Sequence, residues 1–186
     1  MKKIYLTAAA LAGAAVLLLA ACGEAPQADA ETPAETPASD TEAYQMPEFS
    51  TVDLNGETVT NDLFAEKDLT VLNVWGTFCG PCVAEMPELG EWEKELPENV
   101  QLVGLIIDIE GENDTEHHDA AVEITQKAGA EFRHLIANED FAPFLEGVTG
   151  VPTTVFVDKE GKLAGGAILG AQVDKYKEFV EGFVGE

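Results

Sequence analysis

The chain has 186 residues, 46% of them apolar and 24% charged, enough to bury one ordinary core and too few for two full domains. Ten Lys and Arg against 35 Asp and Glu leave a formal charge of −25, which excludes a phosphate-binding surface for nucleic acid. Three Cys are too few for a disulfide scaffold and lack zinc-site spacing, so neither a metal nor another cofactor is expected.

Residues 1–21 read as a signal peptide. Lys2-Lys3 supply a short positive start, Ile4 to Ala20 is an uncharged apolar run, and Leu19-Ala20-Ala21 are followed by Cys22-Gly23. This junction resembles the bacterial lipobox, which implies that Cys22 becomes the lipid-modified first residue of the mature chain. Two or more acyl chains, at about 0.8 kcal/mol per buried methylene, anchor a protein stably. The implied location is the outer face of the cell membrane. Residues 22–45 read as a tether, rich in Ala, Pro, Thr, Glu and Asp and carrying two Glu-Thr-Pro-Ala steps at 31–34 and 35–38. Such a stretch cannot bury enough apolar surface to offset its ordering entropy; as a flexible chain it spans on the order of 30 Å.

Residues 46–186 read as one α/β domain. Phe49–Leu54 and Thr58-Val59 flank Asn55-Gly56, a strong hairpin signal. Leu69–Trp75 is a β-branched apolar run of the kind buried on both faces of a sheet. A helix is expected from Cys82 to Glu95, kinked at Pro87, whose ring removes one ladder hydrogen bond. Val100–Asp108 reads as a second buried strand, Asp119–Ala128 as a helix ended by Gly129, Phe132–Ile136 as a short strand and Glu139–Leu145 as a short helix. Thr153–Asp158 and Leu163–Leu169 form a strand, turn and strand, and Val173–Val184 a closing amphipathic helix. This order implies a mixed central sheet flanked by helices.

The chemistry is concentrated in Cys79-Gly80-Pro81-Cys82, at a strand-to-helix turn. The first Cys sits at a helix N-terminus, where unpaired N–H groups and the dipole stabilise a thiolate. Pro81 fits the first helical turn because its missing N–H has no partner there anyway. Cys79 can attack a substrate disulfide and Cys82 can resolve the mixed disulfide. A static disulfide across so short a loop would gain little entropy. A zinc site would need two more ligands; Cys22 is taken by the lipid, His117 and His118 sit in the acidic 110–119 stretch, and His134 is isolated. Trp75, Trp92, Phe132 and Phe156 read as core, Met86 as a gap filler that can line the site, and the acidic 108–119 stretch as a solvated loop.

Asn73-Val74-Trp75-Gly76-Thr77-Phe78-Cys79-Gly80-Pro81-Cys82-Val83-Ala84-Glu85-Met86-Pro87 resembles the active-site segment of the TlpA/ResA type of membrane-anchored thioredoxin-like disulfide reductases. Gly150-Val151-Pro152-Thr153-Thr154 resembles the thioredoxin-fold loop whose proline is cis, and residues 155–162 resemble the family's terminal hairpin. The resemblance implies a thioredoxin fold with an N-terminal β-hairpin and an inserted strand and helix. It also implies an active-site loop of Trp75, Phe78, Gly80 and Pro81, with Phe78 standing where the family usually has Trp.

If the Val151-Pro152 bond is cis and faces Cys79, the Val151 backbone can pair with an extended substrate; a trans proline starting an edge strand is the other possibility. Ordinary thioredoxins carry a buried Asp where this chain has Asn73. The ResA type instead carries a Glu at the motif position of Glu85, three residues and about one turn after Cys82. Glu85 is therefore the expected proton-transfer group for Cys82, unless it is one more solvated carboxylate beside Glu88, Glu91, Glu93 and Glu95.

The family implies partners as well: a membrane thiol conduit of the CcdA/DsbD kind as electron source, and apocytochrome c or methionine sulfoxide reductase as recipient. A thiol peroxidase, or a binding or metallochaperone lipoprotein with incidental cysteines, are the alternatives from other classes.

Overall fold

The centre of the molecule is the apolar run 69–75. In the computed structural model, which describes residues 44–111 and 113–185, strands β1 (Ser50–Val52) and β2 (Thr58–Thr60) form the expected antiparallel hairpin. A single helical turn α1 (Asp62–Ala65) leads into β3 (Leu69–Trp75), every residue of which is buried. Then follow α2 (Gly80–Glu93), β4 (Val100–Ile106), α3 (Thr115–Ala128), β5 (His134–Ile136), a 3-10 turn at Glu139–Phe141 continuing into α4 (Ala142–Leu145), β6 (Thr153–Asp158), β7 (Ile168–Leu169) and α5 (Val173–Val184). The signal peptide, Cys22 and the tether up to residue 43 lie outside the described residues. Among the described residues no helix is long and apolar enough to cross a membrane.

Five strands make one sheet in the order β5-β4-β3-β6-β7. β3 pairs parallel with β4, β4 parallel with β5, and β6 antiparallel with both β3 and β7. Side chains alternate along a strand, and β3 divides the core accordingly. Leu69, Val71 and Trp75 meet Met86, Leu89 and Trp92 of α2, Ala121 of α3 and Tyr176 and Val180 of α5. Leu72 and Val74 face Met46, Phe49, Leu63, Phe64, Phe141 and Phe144 on the other side. The same parity turns Asn73 toward α2. This is the thioredoxin fold implied by the resemblance, a mixed sheet flanked by helices.

Several expected boundaries move. Helix α2 starts at Gly80 rather than Cys82, because the Cys79 side chain caps it, and it continues unbroken through Pro87. Helix α3 starts at Thr115 rather than Asp119, since the Asp114 carboxylate accepts the His117 N–H and opens the helix four residues earlier. It ends as expected at Gly129, which takes the left-handed conformation with φ 64°. The strand expected over 163–169 shrinks to Ile168–Leu169, with Leu163 making only an isolated bridge to Val157. Tyr44 and Gln45, read as the end of the tether, bond to the 158–163 turn: the Leu163 N–H donates to the Tyr44 carbonyl at 2.9 Å, and Gln45 bridges Lys162.

Candidate active site

The C-terminal end of β3 delivers Trp75 and the turn 76–79 directly to the N-terminus of α2. Cys79 and Cys82 are joined by a disulfide across that N-terminus. The Cys79 sulfur accepts the Cys82 N–H at 3.2 Å, so the sulfur itself is the helix cap. Negative charge on it faces the helix dipole and a free N–H, the conditions that favour a thiolate. Cys79 is 6% exposed and Cys82 0%, which makes the first sulfur the accessible one and the second the shielded one.

Phe78, beside them, is 68% exposed. Gly80 and Pro81 form the first turn of α2. Trp75 does not belong to the exposed loop: it is fully buried, and its indole N–H donates to His134 Nδ1 at 3.2 Å. Met86, expected as a possible lining residue, is core. Val151-Pro152 is cis, and the Val151 carbonyl oxygen lies 3.5 Å from the Cys79 sulfur.

Glu85 lies on the buried side of α2 with Cys82, Met86 and Leu89. Its Oε1 accepts from Asn73 Nδ2 at 2.9 Å, and Asn73 Nδ2 also donates to Thr154 Oγ1 at 3.0 Å. Its Oε2 stands 3.3 Å from the Tyr176 hydroxyl. Burial raises the Glu85 carboxyl above its ordinary 4.5; the Asn73 and Tyr176 hydrogen bonds offset part of that, and the Glu88 charge adds to it. Glu85 is thus set apart from its exposed neighbours Glu88, Glu91, Glu93 and Glu95. A cleft of about 490 Å³ beside it is lined by Ala84, Glu85, Glu88, Gln172, Asp174 and Lys175. Lys177 pairs with Glu88 at 2.8 Å on its rim.

Sequence reasoning passed over Asp108, Thr77, Thr154 and Tyr176. Asp108 follows β4 at the same end of the sheet as the cysteines, and it is not part of a solvated loop. Its Oδ2 accepts from the Thr77 N–H at 2.8 Å and the Thr77 hydroxyl at 2.6 Å, pinning the turn before Cys79. The available signal was a carboxylate at the carboxyl end of a buried parallel strand, where open α/β sheets place their sites. Tyr176 stands in the apolar stripe Val173, Tyr176, Val180 of α5, and a phenol inside such a stripe signals a buried polar partner. His134, read as isolated, is buried between Trp75 and Ala130. Among the described residues no three His, Cys, Asp or Glu side chains gather as a metal site.

The comparisons agree with this geometry. A family model described as Redoxin matches residues 41–174. The thiol-disulfide oxidoreductase ResA of Bacillus thuringiensis (strain Al Hakam) is 30% identical over 142 residues, 75% of this chain and 75% of that protein. The thiol:disulfide interchange protein DsbE of Haemophilus influenzae is 32% identical over 106 residues, 56% of this chain and 53% of the relative. A solved thiol:disulfide interchange protein of the thioredoxin family from Chlorobium tepidum TLS superposes with a TM-score of 0.63 at 21% identity, covering 77% of this chain and 97% of that one.

Proposed function

The chain belongs to the Redoxin family and is a thiol-disulfide oxidoreductase of the ResA/DsbE kind, and we propose that it acts outside the cytoplasmic membrane as a reductase of protein disulfides. The supporting observation is the unequal placing of the two sulfurs: Cys79, the less buried, caps the helix beside exposed Phe78, Cys82 is fully buried, and a buried carboxyl stands one turn further on.

Reduced Cys79 attacks as a thiolate, forming a bond to one substrate sulfur while the other leaves as a thiolate and takes a proton. The Cys82 thiol is shielded from water, and burial disfavours its ionised form. Glu85 takes its proton; the Cys82 thiolate then attacks the Cys79 sulfur, and the second substrate sulfur leaves and is protonated. Two electrons and two protons reach the substrate, and the Cys79–Cys82 disulfide remains. Val151, whose carbonyl lies against Cys79, offers backbone to an extended substrate segment in the manner of an added strand.

Reduction rather than oxidation is supported by Gly80-Pro81 between the cysteines, the dipeptide of thioredoxin. Thioredoxin's reference potential of about −270 mV lies roughly 7 kcal/mol from that of the oxidant DsbA near −120 mV. A reductase in an oxidising compartment needs electrons from within, and a membrane thiol conduit of the CcdA/DsbD kind is the matching donor. The lipobox-like Leu19-Ala20-Ala21-Cys22 supports an anchor at Cys22.

Trapping tests the reading. A Cys82→Ser variant cannot resolve the mixed disulfide, so its substrate stays bound to Cys79 and can be identified. Apocytochrome c would place the protein in haem attachment and a methionine sulfoxide reductase in repair. If no protein is trapped and the wild-type chain fails to reduce insulin, the reading is lost. Cys22→Ala should release the protein from the membrane and abolish fatty-acid labelling.

A further inference from the structure

A phenolic hydroxyl has one proton to donate and two lone pairs to accept with. That of Tyr176 meets the Gly170 carbonyl at 2.7 Å, the Gln172 N–H at 3.2 Å and Glu85 Oε2 at 3.3 Å. The Gln172 N–H can only donate, so it takes one lone pair. The carbonyl can only accept, and at its short distance it holds the proton. Glu85 Oε2 then faces the remaining lone pair alongside the Thr154 hydroxyl, which also approaches the phenol; the contact with Oε2 is favourable when Oε2 carries a proton and donates. Oε1, which accepts from Asn73, is the carbonyl oxygen of that neutral acid. When Glu85 ionises, Oε2 becomes acceptor-only, and the single phenolic proton can satisfy either the carboxylate or Gly170.

Gly170 also touches the catalytic surface. Its N–H donates to the Pro152 carbonyl at 2.7 Å, next to Val151, whose oxygen lies 3.5 Å from the Cys79 sulfur. We propose that Tyr176 is a positioning residue that couples the proton on Glu85 to the Gly170–Pro152 segment: its hydroxyl binds Gly170 while Glu85 is neutral and turns to Glu85 when the acid ionises. The substrate-facing segment is held at one end in the neutral state and released there in the ionised one. This inference rests on Glu85 being the group that exchanges a proton with Cys82.

The other groups around the acid do not provide that link. Asn73 comes from β3 and Thr154 from β6. Glu88 lies on its own helix and is paired by Lys177 of α5, while Asp174 and Lys175, adjacent on α5 and both lining the cleft, carry opposite charges. Tyr176 alone of them also bonds Gly170.

In the oxidised protein neither cysteine titrates, so carbon-13 NMR can follow the Glu85 carboxyl and the Gly170 carbonyl through one pH series. Both are expected to move with a common midpoint; a Gly170 carbonyl that stays flat while Glu85 titrates overturns the coupling without needing any variant. Tyr176→Phe keeps the ring volume and removes the hydroxyl. It should abolish the Gly170 response while Glu85 still titrates. A Gly170 carbonyl that still follows the Glu85 titration in this variant contradicts the proposal. In Glu85→Gln the Gly170 titration should vanish, and its survival also contradicts it. The underlying reading is tested separately in the reduced protein. If Glu85→Gln leaves the Cys82 thiol titration unchanged, the assignment of Glu85 fails and Tyr176 has no part in turnover. If that titration moves while Gly170 stays flat, only the coupling fails.

Discussion

Two buried polar clusters hang from the same strand, two residues apart, and they are built to opposite rules. At Trp75, every group has one partner and one role. The indole N–H donates to His134 Nδ1, and His134 Nε2 donates to the Ala130 carbonyl at 3.0 Å. These bonds fix a neutral ring in one tautomer, and burial pushes its pKa down to about 4. At Asn73, partners are mismatched. Asn73 Oδ1 is buried with no hydrogen-bond partner among the described residues, and one Tyr176 proton serves two acceptors. A network with a single solution holds the fold together, whereas one with two proton arrangements of similar energy can change state during a reaction.

The difference predicts opposite responses to acid, and this is the largest effect. Above pH 6.5 His134 is neutral whether folded or not; below it the unfolded chain takes a proton that the folded ring refuses until about pH 4. Stability should therefore fall by about 3 kcal/mol between pH 6.5 and 4 on account of this one ring. Denaturant unfolding of His134→Gln, which keeps a donor and an acceptor but cannot titrate, should lack that share of the slope. Glu85 runs the other way. Its raised carboxyl pKa gives a contribution fully present below about 4.5 and lost as pH rises through the folded value. Equal acid sensitivity in His134→Gln and wild type would erase the contrast.

Next in size, Glu85→Gln should slow turnover about a hundredfold, within the usual range for a general acid or base, with the loss greatest where Cys82 must be deprotonated. Its unfolding midpoint should hold or rise, because a buried carboxylate is replaced by a neutral amide. Insulin reduction across pH and thermal unfolding measure both halves, and a variant that is destabilised yet fully active would reverse the assignment of the two clusters.

A smaller effect probes the structural cluster. A Cβ at Gly104 would lie 2.1 Å from His134 Nδ1 and 2.9 Å from Trp75 Nε1, so the Trp75–His134 bond exists only over a glycine. Gly104→Ala should cost about 2 kcal/mol and leave the Cys82 titration where it was. Smallest is Lys177→Ala, which frees Glu88 and should raise the Glu85 midpoint by roughly 0.3 pH units, on the scale of an exposed ion pair.

Much of the fold was legible because it is written in local patterns. Leu69–Trp75 and Val173–Val184 are found at their expected limits, one from its unbroken apolar run and the other from its stripe. The turn α1 was missed because four residues are too few to show a helical period. The early start of α3 was missed because it depends on where the Asp114 carboxylate points. Residues 163–169 have strand composition, yet only two of them find a partner long enough to count as β7.

For the site, the sequence by itself determined the dithiol, its helix, the proline loop and the carboxyl one turn after Cys82, since each is set by spacing along a few residues. Only the tertiary structure decided how these meet. Asn73 and Glu85 are 12 residues apart and Glu85 and Tyr176 are 91, distances over which no local preference carries information. Strand parity turns Asn73 toward α2, the packing of α5 brings a phenol to Glu85, and the end of β4 carries Asp108 to Thr77. Burial, which raises the Glu85 carboxyl and suppresses protonation of His134, is a property of that packing and of no single segment.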